Sequence, residues 1–290
     1  MENKQQVTVI GGGLAGCEAA WQLAQAGYAV FLYEMKPEQY TPAHHYTGLA
    51  ELVCSNSLKA DRLASAAGLL KAEMERLGSL LIPCARATAV AAGGALAVDR
   101  HRFSDLVTEH IQNHPNITII QERVTALPKR CAVIATGPLT DGALAEDLER
   151  QCGKRLSFFD AAAPIVSYES LDPEKIFFAA RYDRGDADYI NCPMDQETYT
   201  AFYQALIAAE RAPLHDCDKE FFRVYEGCMP IEVLASRGED TMRFGPLKPV
   251  GLRDPKTGHR PYAVVQLRRE NQSGSLYNPV SYTHLTLPTT

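Results

Sequence analysis

Long apolar runs are what this 290-residue chain lacks most plainly. Hydrophobic residues make up 46% of it, enough for a substantial core, yet no uninterrupted stretch approaches the roughly twenty residues of a membrane-spanning helix. The polar start MENKQQ offers no secretory hydrophobic segment, so a cytosolic location is expected. No C-x-x-C pair and no zinc-like spacing joins the eight cysteines at 17, 54, 84, 131, 152, 192, 217 and 228. That pattern suits reduced thiols, and no metal is expected. Excess positive charge is missing too: at a formal net charge of −6, any binding to nucleic acid must come from a local basic surface. Internal repeats and long low-complexity linkers are also absent. Finally, Asp, Glu, Lys and Arg, 22% of the whole, do not occur after Glu270. SYTHLTLPTT at 281–290 accordingly reads as translated vector or adapter sequence, and 279–290 is expected to be a non-native tail.

What the chain does have is VTVIGGGLAGCEAAWQLAQAGYAVFLYEMKP at 7–37. Val7 to Ile10 predict a short strand, and Gly11, Gly13 and Gly16 form G-x-G-x-x-G where the chain must turn, approach a pyrophosphate and pack a helix closely. Gly12, Leu14 and Ala15 complete that loop. A helix from about Ala15 to Ala26 would aim its N-terminal N–H groups at the phosphate, with Ala20 and Gly27 keeping it near the sheet. Ala29 to Tyr33 predict the second strand. Glu34 then stands about twenty residues beyond the glycines, where a carboxylate accepts hydrogen bonds from an adenosine ribose and disfavours the 2′-phosphate of NADP.

Downstream, apolar spacing from Leu58 onward predicts a helix over about 57–77. ATAVAAGGALAV at 87–98 predicts a hairpin around Gly93 and Gly94. Phe103, Leu106, Val107 and Ile111 mark a further helix, and Ile117 to Ile120 a strand. CAVIATGPLT at 131–140 is a strand running into Ala135-Thr136-Gly137, a turn that brings Thr136 and Gly137 close to whatever the first glycine loop holds. This order resembles FAD domains of the glutathione-reductase type more than NAD dehydrogenases, and FAD is the favoured cofactor. The fold class is therefore α/β: a Rossmann-like FAD-binding domain over 1–150, then a second α+β insertion or substrate domain over 151–278. The latter's strands are expected near Ile176 to Ala180 and Glu220 to Glu226, with a helix near Gln196 to Glu210.

Two cysteines precede predicted helix starts. Cys54 lies before the helix that Asn56 or Ser57 would cap, and Cys228 before a helical turn beginning at Pro230. Such positions lower a thiol pKa, as nucleophilic catalysis requires. Cys17, Cys84, Cys131 and Cys152 are expected to be small buried hydrophobes. Lys248, Arg253, Lys256, His259, Arg260, Arg268 and Arg269 concentrate positive charge within about twenty residues and form the candidate basic surface.

These motifs together carry a resemblance. VIGGGLAGCEAA, LVCSNSLKAD, ATGPLT, DAAAPIV, RYDRGDADYINCPM, EGCMPIE and GPLKPVGLRDPKTGHRPYAVVQLRREN resemble the folate- and FAD-dependent tRNA (uracil-5-)-methyltransferases, from about Val7 to Asn278. The resemblance implies transfer of a one-carbon unit from methylenetetrahydrofolate, by way of FAD, to carbon 5 of the T-loop uridine in tRNA, with NAD(P)H as reductant. It places Cys228 and Cys54 on the family's two functional cysteines, Cys228 as the nucleophile at uracil C6 and Cys54 as the base or a protecting group. Gly11, Gly13, Gly16 and Glu34 fall on its FAD pocket, and Cys192 on no such role. Arg253, Lys256 and Arg260 are the candidate tRNA contacts. Family members continue past Asn278 into segments that close the flavin site, so the chain is expected to be a fragment lacking part of that site. Two alternatives stay open: an FAD-dependent enzyme of the wobble uridine, and a non-catalytic FAD- or tRNA-binding module.

Overall fold

Short Val- and Ile-rich runs alternating with amphipathic stretches call for layered α/β packing. The computed structural model, which describes residues 5–153, 164–183, 186–210 and 230–280, has that arrangement. From the start the elements are β1 (Gln6–Ile10), α1 (Leu14–Gln25), β2 (Ala29–Glu34), β3 (Ser57–Ala60), α2 (Ala66–Arg76), α3 (Leu81–Ala87), β4 (Ala89–Val90) and β5 (Ala95–Val98). Then come α4 (Arg100–Gln112), β6 (Ile117–Gln121), β7 (Ala132–Ile134), α5 (Gly142–Cys152), β8 (Val166–Ser167), β9 (Phe177–Phe178) and β10 (Ile190–Met194). The described chain closes with α6 (Gln196–Ala208), α7 (Ile231–Ala235), α8 (Glu239–Phe244), β11 (Ala263–Arg269) and β12 (Leu276–Pro279). They fall into two compact units, one of Met1–Val53, Asp61–Thr88 and Val98–Phe158, the other of Cys54–Ala60, Ala89–Ala97 and Phe159–Thr290.

The first unit holds a four-stranded sheet in the order β6-β2-β1-β7, its neighbours all parallel. Parallel neighbours require crossovers, and α1 supplies the one between β1 and β2. Its buried face is Gly16, Cys17, Ala20 and Ala24, small residues at helical spacing that allow close approach to the sheet. The third strand's helix, α4, buries Phe103, Ser104, Val107 and Ile111, and the Asp99 carboxylate caps it by accepting from the Arg102 N–H at 3.2 Å. From β1 the chain runs outward through β2 to β6, then returns to β7 on the other side of β1. The C-terminal ends of β1 and β7 thus flank the switch point at which open α/β sheets bind ligands.

The second unit is α+β. Its larger sheet is antiparallel, in the order β8-β12-β11-β10-β9, and a smaller one runs β3-β5-β4. Helices α6, α7 and α8 pack around Tyr199, Leu206, Ile231, Leu234, Met242 and Leu247. The expected hairpin is the β4–β5 pair, turning at Gly93 with φ +55°. Its tip is held by Asp188, whose carboxylate accepts from the Gly93 N–H at 2.8 Å, and by Tyr189, whose hydroxyl donates to the Ala92 carbonyl at 2.6 Å.

Two expectations need correction here. The helix over 57–77 does not exist as one element: 57–60 form β3, paired with β5 through Ser57↔Ala97 and Ala60↔Ala95, and α2 starts only at Ala66. Ser65, not Asn56 or Ser57, is the cap, accepting from the Gly68 N–H at 3.1 Å. Periodicity alone did not reveal this, because it cannot see the long-range partner strand that captures 57–60. Gly27 also plays another part than expected. A Cβ there would meet nothing within 4 Å, so its requirement is the φ of +91° that ends α1, not close packing. The expected strand at Glu220 to Glu226, the cysteine at 228 and the tail 281–290 lie outside the described residues.

Candidate functional site

At the switch point of the first unit lies a cavity of about 290 Å³. Gly11, Gly12, Gly13, Leu14 and Ala15 form its floor, Glu34 one side, and Thr136 and Gly137 another. The glycines are demanded by backbone, not by chance. A Cβ on Gly11, whose φ is +98°, would lie 2.5 Å from the Ala135 carbonyl oxygen, so the β1 and β7 turns can touch because Gly11 puts no side chain between them. At Gly16 a Cβ would fall 1.7 Å from the Gly11 oxygen, which makes this glycine the contact that seats α1 on β1. Gly13 differs: nothing stands within 4 Å of the place its Cβ would take. That open side faces no protein, at the N-cap of a helix whose own cap makes no side-chain hydrogen bond. Unsatisfied N–H groups and the positive end of the α1 dipole therefore meet in a space with room for an anionic group. Gly16 is the one sequence-predicted cofactor residue that does not line the cavity.

Glu34 ends β2 as expected. Its Oε2 accepts from the Gly12 N–H at 2.7 Å and its Oε1 from the Lys36 N–H at 3.0 Å, so the carboxylate is anchored at the rim of the glycine loop. Lys36 is almost fully buried and organises the following loop: its ammonium donates to the carbonyls of Tyr46 at 3.1 Å and Gly48 at 2.5 Å and pairs with Glu51 at 3.3 Å. From that loop Thr41 and His44 reach the cavity, joined by a 2.5 Å hydrogen bond between Thr41 Oγ1 and His44 Nδ1. Burial, the largest influence, holds the His44 imidazole below its ordinary 6.5, which keeps the ring neutral near pH 7.

Sequence reasoning missed Lys36, His44, Arg123 and Asp141. Arg123 lies two residues past the end of β6, lines the cavity, and joins Asp141 in an ion pair. The signal was present, since ligands gather at the C-terminal ends of parallel strands and Arg123 sits just past one.

The cysteines divide in a way the sequence did not foretell. Cys17 and Cys84 are buried as expected, but Cys131 and Cys152 are exposed, contrary to the reading of all four as core residues. Burial pushes the Cys17 thiol up to about 12, with the Glu34 charge adding to it, and Cys84 and Cys192 up to about 11. Iodoacetamide at about pH 8 is therefore expected to alkylate Cys131 and Cys152 in the native chain and spare Cys17, Cys84 and Cys192. Alkylation of Cys17 at the rate of a denatured control would contradict the α1 packing. The unfolded chain releases these three protons near the ordinary 9.0 while the folded chain keeps them, so stability should fall as pH rises above 9. Cys54 is half-buried in the second unit and leads into strand β3, so the helix-end argument for its activation does not hold.

In the second unit, Arg253, Lys256 and Arg260 are exposed. They sit on a turn closed by the Asp254 N–H to the His259 carbonyl at 2.9 Å. Lys256 also donates to the Glu174 carbonyl. Arg268 does not belong to this basic surface: it is buried, and its guanidinium is bonded to Ser55, Asn56 and Asn278. Sequence proximity placed it with the others; its place on β11, between β12 and β10, buries it. Among the described residues no helix is long and apolar enough to cross a membrane, and no three His, Cys, Asp or Glu side chains gather as a metal would require.

The profile of the glucose inhibited division protein A family matches residues 6–289. The chain belongs to that family. This family chain is 58% identical over 287 residues to the methylenetetrahydrofolate–tRNA-(uracil-5-)-methyltransferase TrmFO of Shouchella clausii, a match covering 98% of the chain and 65% of that protein. To the protein of the same name from Geobacter sulfurreducens it is 58% identical over 285 residues, covering 97% and 65%. The chain thus spans about 65% of the length of these relatives. Among solved structures, Aquifex aeolicus GidA superposes with a TM-score of 0.58 at 15% identity, over 99% of this chain and 51% of that one, which shows a shared fold.

Proposed function

We propose that the first unit binds FAD and that the whole protein forms 5-methyluridine in the T-loop of tRNA, with methylenetetrahydrofolate as carbon donor and NAD(P)H as reductant. The observation that carries this reading is the open side of Gly13 between an anchored carboxylate and the β7 turn: a cradle a Cβ would fill, fitted to pyrophosphate. The names of relatives at 58% identity supply the reaction class. FAD, when bound, would supply the carrier and reductant for the one-carbon unit. Gly11 to Ala15 would hold the pyrophosphate on backbone N–H groups, Glu34 the adenosine ribose, and Thr136 and Gly137 the far side.

The remaining chemistry falls to the cysteines. Carbon 5 of uracil is too weak a nucleophile by itself, and addition of the Cys228 thiolate at C6 produces an enolate whose C5 attacks the one-carbon unit. Cys54 would then take the C5 proton as the bond from the one-carbon unit to its carrier breaks; a hydride equivalent, drawn ultimately from NAD(P)H, would reduce the resulting C5 methylene to methyl, and the C6–sulfur bond then breaks to return the Cys228 thiolate. A T-loop uridine must be extruded from its stack for this, and Arg253, Lys256 and Arg260 would hold the RNA backbone. The wobble-uridine alternative has less support, because the relatives at 58% identity carry the uracil-5 methyltransferase name.

Two experiments test the reading. The contacts present in this chain address adenosine and pyrophosphate, so fluorescence titration should show FAD bound, competed by ADP, and preferred over FMN by about tenfold or more. Equal affinity for FMN would remove the dinucleotide reading. For tRNA, alanine at 253, 256 and 260 together should lower affinity and flatten the salt slope by about one unit per lost phosphate contact. Lys256, tied to Glu174, should contribute least.

A further inference from the structure

With the helix-end explanation for Cys54 removed, something else must place that thiol. The segment Cys54-Ser55-Asn56 is docked into a buried polar cluster of the same unit. Arg268 of β11 donates through Nε to Asn56 Oδ1 at 3.0 Å, and through Nη2 to Ser55 Oγ at 2.8 Å and Asn278 Oδ1 at 3.0 Å. Asn56 answers from its amide, Nδ2 donating to the Arg269 carbonyl at 2.9 Å, and its Oδ1 takes a second bond from Asn278 Nδ2 at 3.2 Å. Asn278 also donates to Glu270. Arg268 is 6% exposed, Asn56 0%, Asn278 1% and Glu270 7%, so these bonds form away from water, where they are strong and costly to break. An arginine at this depth is expensive to keep unless it has a task or a full set of partners. Here the partners include the two residues that follow the thiol.

We infer that Arg268 is the positioning residue for Cys54: its fork pins residues 55 and 56, and its permanent charge sets the ionisation of the adjacent thiol. Because a guanidinium stays protonated throughout the working range, it would stabilise a thiolate independently of pH and without a helix end. The other charged or titratable groups on the surrounding elements are Lys59 of β3, Arg269 of β11 and Glu270 just after it, Tyr277 of β12, and Asp188 and Tyr189 before β10. Glu270 joins the cluster through Asn278, whereas the guanidinium bonds directly to Ser55 and Asn56. Burial raises the Tyr189 phenol above its ordinary value, with the Arg268 charge opposing the rise and Asp188 adding to it.

The inference rests on the reading of Cys54 as a working thiol, and its test does not need catalysis. Alkylation of Cys54 by iodoacetamide, followed by peptide mass spectrometry across a pH series without flavin, folate or tRNA, gives a midpoint for ionisation and a plateau for access. In Arg268→Met the midpoint should rise by about one pH unit. In Arg268→Lys it should hold near the parent value, while hydrogen exchange of amides 54–57 speeds about tenfold as the fork is lost. An unmoved midpoint in the methionine variant, or unmoved exchange in the lysine variant, overturns the inference. Should Arg268→Met fail to fold by circular dichroism, Ser55→Ala carries the test. It removes one bond to the guanidinium together with the Oγ that accepts from the Ser57 N–H, and keeps every charge, so faster exchange at amides 54–56 with the midpoint held is expected, and unchanged exchange there overturns the pinning. If the Arg268 results hold but Cys54→Ala still methylates tRNA, the catalytic reading of Cys54 fails and the tuning of its thiol stands.

Discussion

Gly16→Val is expected to lower the melting temperature by about 6–12 °C and the affinity for FAD or ADP by about a hundredfold or more, measured by thermal denaturation and by titration. The Cβ of any residue at 16 would lie 1.7 Å from the Gly11 oxygen and 2.9 Å from its carbon, a collision of Cβ with backbone that no rotamer relieves. Helix α1 must then lift from β1, which opens the core at Cys17 and Ala20 and moves the N–H groups of the glycine loop away from their target. Overpacking of this kind costs about 1–3 kcal/mol or more, and a backbone clash belongs at the upper end. Gly13→Ala separates folding from binding. With φ at −74° and nothing within 4 Å of its Cβ, alanine there should change stability by less than about 0.5 kcal/mol while still weakening the dinucleotide, because the methyl takes the ligand's place. Full affinity in that variant would mean the pyrophosphate lies elsewhere.

Cys228→Ala should reduce 5-methyluridine formation by at least about 10³-fold in the flavin-loaded whole protein, with tRNA affinity and flavin content held. The argument is chemical: without a thiolate at C6, carbon 5 has no enolate from which to attack. A fall in kcat with an unchanged Kd for tRNA identifies loss of chemistry and not of binding. Retained methylation would leave the cysteine without a part in the reaction and favour the non-catalytic reading. Retained tRNA binding alone does not, since Arg253, Lys256 and Arg260 are assigned that task separately.

The geometry of the glycine loop was legible in the chain because each of its requirements is local. Gly11, Gly13 and Gly16 answer to sterics within one strand-turn-helix unit, and Glu34 to the length of the helix between. The helix expected over 57–77 failed for the opposite reason. Leu58 and its neighbours do repeat at helical spacing, but 57–60 are captured by β5, some forty residues on, a pairing that outweighs propensity. Arg268 was misplaced by the same blindness. Counted with Arg253 and Arg260 it looked like part of a basic surface, whereas its position on β11 turns it toward Asn56, 212 residues away in the chain. Exposure of Cys131 and Cys152 was equally hidden, since nothing in a cysteine's neighbours along the chain reports what packs over it.

Local order and spacing were enough to specify the α/β class, the parallel strand start, the glycine loop and its acidic end, since backbone sterics and helix periodicity act over a few residues. Which side chains meet around Cys54, how Lys36 shapes the cavity rim, and which arginines face solvent were settled by folding alone. Those contacts join residues far apart in the chain, and their energy comes from desolvated hydrogen bonds that exist only once the sheets have closed.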